Sequence, residues 1–199
     1  MKKRPSSFIS LIILIAVVLG VALLAGPLLD RLFLPWAFGS DGHPALTDTW
    51  VGTLTTATGR QQGVVLEMYL PEPRGRRGLR RDWRNDPYGE LEGTLRMCNG
   101  SGGVRSYTVE GEPDDRQATH LHFYSTPVEK PVPEGLTSNW YKGTWDGANK
   151  LTFTLSFHWA KDGAAISGSD YPDTQADATL EMTRGGEVEF QTICAQIEE

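Results

Sequence analysis

The chain has 199 residues, 39% of them apolar, and a formal net charge of −6. Twenty-five apolar residues fall within the first 38. That split excludes a uniform soluble globule and a polytopic membrane protein, and well-distributed aromatics, 10% of the chain, exclude long-range disorder. No specific biochemical activity can be read from these figures.

The opening Lys2-Lys3-Arg4 is followed by no charged residue until Asp30. Between them, Phe8 to Gly26 is strongly apolar except for Ser10 and two glycines. As a helix, such a run spans roughly 28 Å, the thickness of a bilayer's hydrocarbon core. Basic residues flanking its start keep the amino terminus cytoplasmic. The spacing therefore predicts a cytoplasmic tail over 1–7, a transmembrane signal anchor over 8–29 and an interfacial linker over 30–45. In that linker Phe33, Trp36 and Phe38 suit the water–lipid boundary. A cleaved signal peptide is the rival reading, but the apolar core is long for one and lacks a small-residue cleavage pattern. Both readings place the remainder outside the cytoplasm.

The stretch 39–44 is rich in breakers, so the folded domain is expected over 46–199. It carries 15 Lys plus Arg against 23 Asp plus Glu, a balance opposite to that of a nucleic-acid binder. No nucleic-acid partner is expected.

Period-two alternation recurs through this region. In Leu151-Thr152-Phe153-Thr154-Leu155-Ser156-Phe157-His158-Trp159 every odd position is large and apolar, as a half-buried strand requires. Further strands are expected at 49–57, 63–70, 90–98, 104–111, 117–125, 140–146, 176–183 and 187–195. Turn residues separate several of them: Thr58-Gly59-Arg60, Asn99-Gly100, Asp146 to Asn149 and Gly185-Gly186. Asn-Gly suits a two-residue hairpin. The expected class is all-β, with eight or nine mostly antiparallel strands after one N-terminal transmembrane helix.

An apolar-x-Gly-Thr-apolar pattern occurs at Trp50–Leu54, Leu91–Leu95 and Tyr141–Trp145. Glycine inside a strand marks a bend, a bulge or a close backbone approach. Together with Gly143-Thr144-Trp145, the 150–159 strand and Ala178 to Arg184, this pattern resembles the small bacterial lipocalin-like (calycin) domains. The resemblance spans roughly 140–184 and the preceding Gly-Thr repeats. It implies an antiparallel meander barrel and a cavity for a small apolar ligand. A β-sandwich is the alternative on alternation alone.

Cys98 and Cys194 are the only cysteines, and outside the cytoplasm an even pair favours a disulfide. It would pin the last strand to the middle of the sheet. The segment 74–84 concentrates Arg74, Arg76, Arg77, Arg80, Arg81 and Arg84 beside Trp83. Arginine forks pair with phosphates and carboxylates, and Trp supplies an amphipathic anchor. Anionic lipid headgroups, another anionic envelope component or an acidic protein face are the candidate partners. The alternative is a solvated loop that offsets the acidity of its own domain.

His120 and His122 share one strand face and His158 lies on another strand, read as surface histidines rather than metal ligands. Asp170, Asp173 and Asp177 lack calcium-loop spacing. Asp114-Asp115 reads as a solvated turn, and Ser101 lacks the glycine that precedes a nucleophile elbow. No catalytic, phosphate-binding or dinucleotide motif occurs. No cofactor, metal or catalytic residue is expected. Three function classes stay open: a non-catalytic binding or scaffolding domain, a lipocalin-like carrier or sensor of a small apolar ligand, and an envelope enzyme.

Overall fold

The computed structural model describes residues 12–18, 20, 31–39, 44–56, 59–71, 89–98, 103–128, 135–161, 164–166 and 178–197. Nine strands follow a one-turn helix α1 (Pro35–Phe38): β1 (Thr49–Thr55), β2 (Gln61–Tyr69), β3 (Leu91–Cys98), β4 (Val104–Pro113), β5 (His120–Pro127), β6 (Gly135–Trp145), β7 (Lys150–Lys161), β8 (Ala164–Ile166) and β9 (Ala178–Arg184). A second helix, α2 (Glu187–Ile197), ends the described chain.

Each strand from β1 to β7 pairs antiparallel with the next. β9 then joins β7 on one side and β1 on the other, closing an eight-stranded barrel. The short β8 doubles back on the far half of β7. Closure removes every free sheet edge from the ring. It decides for a barrel over a sandwich.

The alternation expected along β7 holds for its described side chains, with Leu151, Phe153 and Leu155 buried inside the barrel. Phe123 meets Phe153 edge to face at 5.4 Å, and Tyr141 does so at 6.1 Å. The three Gly-Thr repeats supply the space and the bends. At Gly52 a Cβ would lie 1.9 Å from the Glu181 carbonyl oxygen of β9, and at Gly93 2.6 Å from that of Glu67 on β2. At Gly143 it would lie 2.3 Å from the Phe153 ring, which lies over the glycine.

Several sequence-based boundaries change. Residues 187–195 form a helix, not a strand. Val188, Phe190, Thr192 and Cys194 mimic alternation, but Phe190, Ile193, Cys194 and Ile197 also share one helical face. Acidic Glu187 and Glu189 in the first turn favour the helix. Gly185-Gly186 therefore leads into α2 and does not close a hairpin. β3 ends at Cys98 and β4 starts at Val104, so the connection at Asn99-Gly100 is longer than two residues.

Cys98 and Cys194 are bonded, with Cα atoms 5.9 Å apart. The bridge fastens α2, rather than a last strand, to β3 across the outside of β2. A Cβ at Gly63 would lie 2.7 Å from the Cys98 sulfur, so the glycine makes room for the crossing. Phe190 packs there on Val51 and Val65. The Arg96 guanidinium lies 5.2 Å above the Phe190 ring and pairs with Glu187. That hydrogen bond, helped by Gln191, holds the Glu187 carboxyl below its ordinary range.

Residues 12–18 are helical and exposed. Among the described residues no helix is long and apolar enough to cross a membrane; most of the expected 8–29 span lies outside them.

The disulfide closes a loop of 96 residues in sequence. Replacing both cysteines with serine should lower unfolding free energy by about 4–5 kcal/mol in the chain-entropy model. Urea denaturation of oxidised wild type against the double variant measures the loss.

Candidate functional site

The two ends of the barrel differ. At one end, called the base, lie the start of β1 and the end of β9, and the chain arriving from the amino terminus seals it. Leu34 has no exposed surface and Trp36 only 2%, and both join the main core with Ala37 and Leu46. The sequence reading assigns residues 34–37 to a linker and Trp36 to the lipid boundary; Trp36 instead closes the barrel. Apolar aromatics just beyond an anchor suit either role, so composition could not choose between them.

Backbone bonds hold this plug. The Leu46 amide donates to the Trp36 carbonyl at 2.6 Å, the Ala37 amide to Leu34 at 3.0 Å, and the Trp50 indole to Leu46 at 3.0 Å. Thr47 Oγ1 donates to the Ala37 carbonyl at 2.6 Å. From the β4–β5 turn, Arg116 Nη2 donates to the Leu32 carbonyl at 2.8 Å.

Arg184, the last residue of β9, ties these parts together. Its guanidinium lies 4.7 Å above the Trp50 ring. It forms an ion pair with Asp48, donates to the Ala45 carbonyl, and donates to the Ala148 carbonyl of the β6–β7 turn at 3.3 Å. One side chain, 21% exposed, thus joins the entering chain, the first strand, the last strand and a turn. Sequence reasoning missed it, because an arginine closing a strand reads as solvated.

The β4–β5 turn at the same end is built around Asp115. Burial pushes its carboxyl up, but hydrogen bonds from Thr119 Oγ1 and the amides of Thr119, His120 and Gln117 outweigh that and lower it to about 2, from 3.8. His120 lies 3.4 Å from Asp115, and His122 lies 3.3 Å from Asp114. The adjacent aspartates thus organise a turn and its flanking histidines. β6 separates the strand of His120 and His122 from that of His158. Among the described residues no three His, Cys, Asp or Glu side chains gather as a metal site.

The other end is the mouth. The last described layer before it includes Tyr141, whose hydroxyl donates to the buried Ser125 Oγ at 3.3 Å, with Leu155 and Ala178. β6 and β7 continue past this layer, pairing from Ser138↔Phe157 to Gly135↔Ala160. On the outer wall a groove of about 700 Å³ separates α2 from β1 and β9, between Val51, Val188 and Ile193 and the Lys150–Glu181 pair.

Arg74, Arg76, Arg77, Arg80, Arg81, Trp83 and Arg84 lie outside the described residues, as do Ser101, Asp170, Asp173 and Asp177. The roots of the arginine segment are described. β2 leaves the barrel at Tyr69 and the chain returns at Gly89, both at the base. Gly89 has φ +87°, and a Cβ there would lie 2.8 Å from the Leu34 side chain.

No protein-family model matches the chain, and no curated protein matches it. Solved structures do. EF1p2_mFAP2b bound to DFHBI is 14% identical with TM-score 0.47, over 71% of this chain and 94% of that one. A redesigned β-barrel is 15% identical with TM-score 0.46, over 71% and 92%. A de novo designed fluorescence-activating β-barrel is 14% identical with TM-score 0.42, over 74% and 100%. The fold is a closed eight-stranded antiparallel barrel. That assignment rests on the strand pairing described above.

Two substitutions test the base. Arg184→Met should cost about 2–4 kcal/mol, removing a stacked cation and several charge-assisted bonds, with Arg184→Lys recovering only part. Both are read from urea midpoints. Asp115 has a depressed folded pKa, so it stabilises the fold above its ordinary value of 3.8, and that contribution disappears as pH falls through about 2. Asp115→Asn should flatten the stability–pH curve in that window, followed by tryptophan fluorescence.

Proposed function

We propose that the chain is a membrane-tethered, extracytoplasmic binding barrel of non-catalytic type. The segment 8–29 is its anchor, and the arginine segment 74–84 is its contact with anionic lipid headgroups. The observation that carries this reading is the position of the base. The plug formed by Leu34 and Trp36 follows the apolar run closely in sequence, and the arginine segment leaves and re-enters the barrel at that same end. The described roots of the arginine segment, at Tyr69 and Gly89, therefore lie at the end that the apolar run leads into. The Cys98–Cys194 bond supports an oxidising, extracytoplasmic setting. Each arginine near an anionic surface contributes roughly 1 kcal/mol, so six make a substantial contact even after partial screening.

The segment is dense in trypsin sites, which supplies the test. In proteoliposomes, anionic lipid should slow cleavage within 74–84 about fivefold or more relative to zwitterionic lipid. High salt should abolish the protection. Equal cleavage in both lipids contradicts the contact.

A second reading, a carrier or sensor of a small apolar ligand, is favoured by β6 and β7 running past the last packed layer, where they build a wall at the mouth. Tyr141 and Leu155 in that layer, with Phe153 and Phe123, fill the interior, so a ligand would sit above them. The Phe157 side chain lies outside the described residues. Saturable enhancement of a fluorescent fatty-acid probe, lost on Ser125→Trp, supports the carrier reading; no saturable signal rejects it.

A further inference from the structure

We infer that the base of the barrel seats on the bilayer through Leu32, Phe33 and Phe38, and that the mouth faces away from the membrane. This rests on the tether reading of 8–29 and adds an orientation that the reading alone leaves open. A tethered domain on a slack linker can lie on any side; this one is not on a slack linker.

Seven residues separate Gly26, the end of the apolar run, from Leu34, which is fully buried in the base. Fully extended, the eight steps from Gly26 to Leu34 reach no more than about 28 Å. Residues 31–33 are helical, which shortens the reach further. The headgroup layer itself takes up several ångströms of that distance. The base is therefore held at the membrane surface.

The chemistry of that face matches the placement. Leu32 is 59% exposed, Phe33 42% and Phe38 41%, while Leu34, Trp36 and Ala37 of the same stretch are buried in the barrel core. The short segment is thus two-sided: one set of apolar side chains closes the barrel and the other faces outward at the end nearest the anchor. Arg116 holds it by the Leu32 carbonyl, placing a cation beside the same patch, and Arg31 adds another. Apolar side chains bordered by cations are what a phospholipid interface accepts. The strands carry the opposite turns, including Gly59-Arg60, to the far end of the barrel. Any ligand entering the mouth arrives from the aqueous side, not laterally from the bilayer.

The test uses the full chain in phosphatidylcholine vesicles that contain headgroup spin-labelled lipid. A fluorophore is attached at Gln117→Cys, beside Arg116 at the base, or at Gln61→Cys, at the mouth; both native residues are exposed. The base label should be quenched at least about threefold more than the mouth label, because strands of this length separate the two by roughly 20 Å or more. Leu32→Ser/Phe33→Ser/Phe38→Ser should reduce that difference while the chain still floats with the vesicles. Equal quenching of both labels in a chain that floats overturns the seating and leaves the tether reading intact. A chain that fails to float with the vesicles overturns the tether, and the seating with it.

Discussion

The stacking of Arg184 on Trp50 is the contact on which the rest of the barrel depends. A closed meander has one seam where the first and last strands must meet, and this pair sits at the end of it. Register is fixed from β1 to β9 by the backbone ladder, but the ladder alone does not close the end of a barrel. Arg184 does so by engaging groups from four parts of the chain at once. Trp50 faces inward and its indole bonds Leu46, so the same residue supports the strand and the plug beneath it.

Closure needs curvature, and curvature needs places where backbones can approach. Gly52 and Gly93 supply these on β1 and β3, and Gly143 accepts the face of Phe153. The rings of Phe123, Phe153 and Tyr141 then fill the interior by edge-to-face contact. Interior packing and the seam reinforce each other, since Leu180 and Met182 of β9 belong to the same core as Trp50 and Leu54 of β1. Outside, the disulfide and the Arg96–Phe190–Glu187 stack cover the one stretch of wall where Val51 and Val65 face outward.

Strand alternation was legible because most of the wall has one wet face and one dry face, as on β7 and β9. The Gly-Thr repeats were legible as bends, and the cysteine pair as a bridge. What misled the sequence reading has a physical cause in each case. The residues of α2 satisfy both a two-residue and a 3.6-residue period, and only the glycines before it and the acids in its first turn favour a helix. Leu34 and Trp36 carry the apolar and aromatic character of an interfacial linker, although they close a barrel. Arg184 lacks any local signature, because its partners come from positions more than thirty residues away. The arginine segment stood out by composition; its attachment at the base became visible only with the barrel.

A sealed base makes the protein single-ended: the end nearest the apolar run is solid, and exchange with the surroundings is left to the mouth and the outer wall. That solidity can be read directly from hydrogen exchange of the Trp50 indole N–H in the full chain. If the plug and the Arg184 stack close the base, this proton exchanges only with global unfolding, at the rate of the slowest amides of the core. Exchange as fast as that of exposed turn amides such as Gly147 would show that the base opens locally, and would contradict the account.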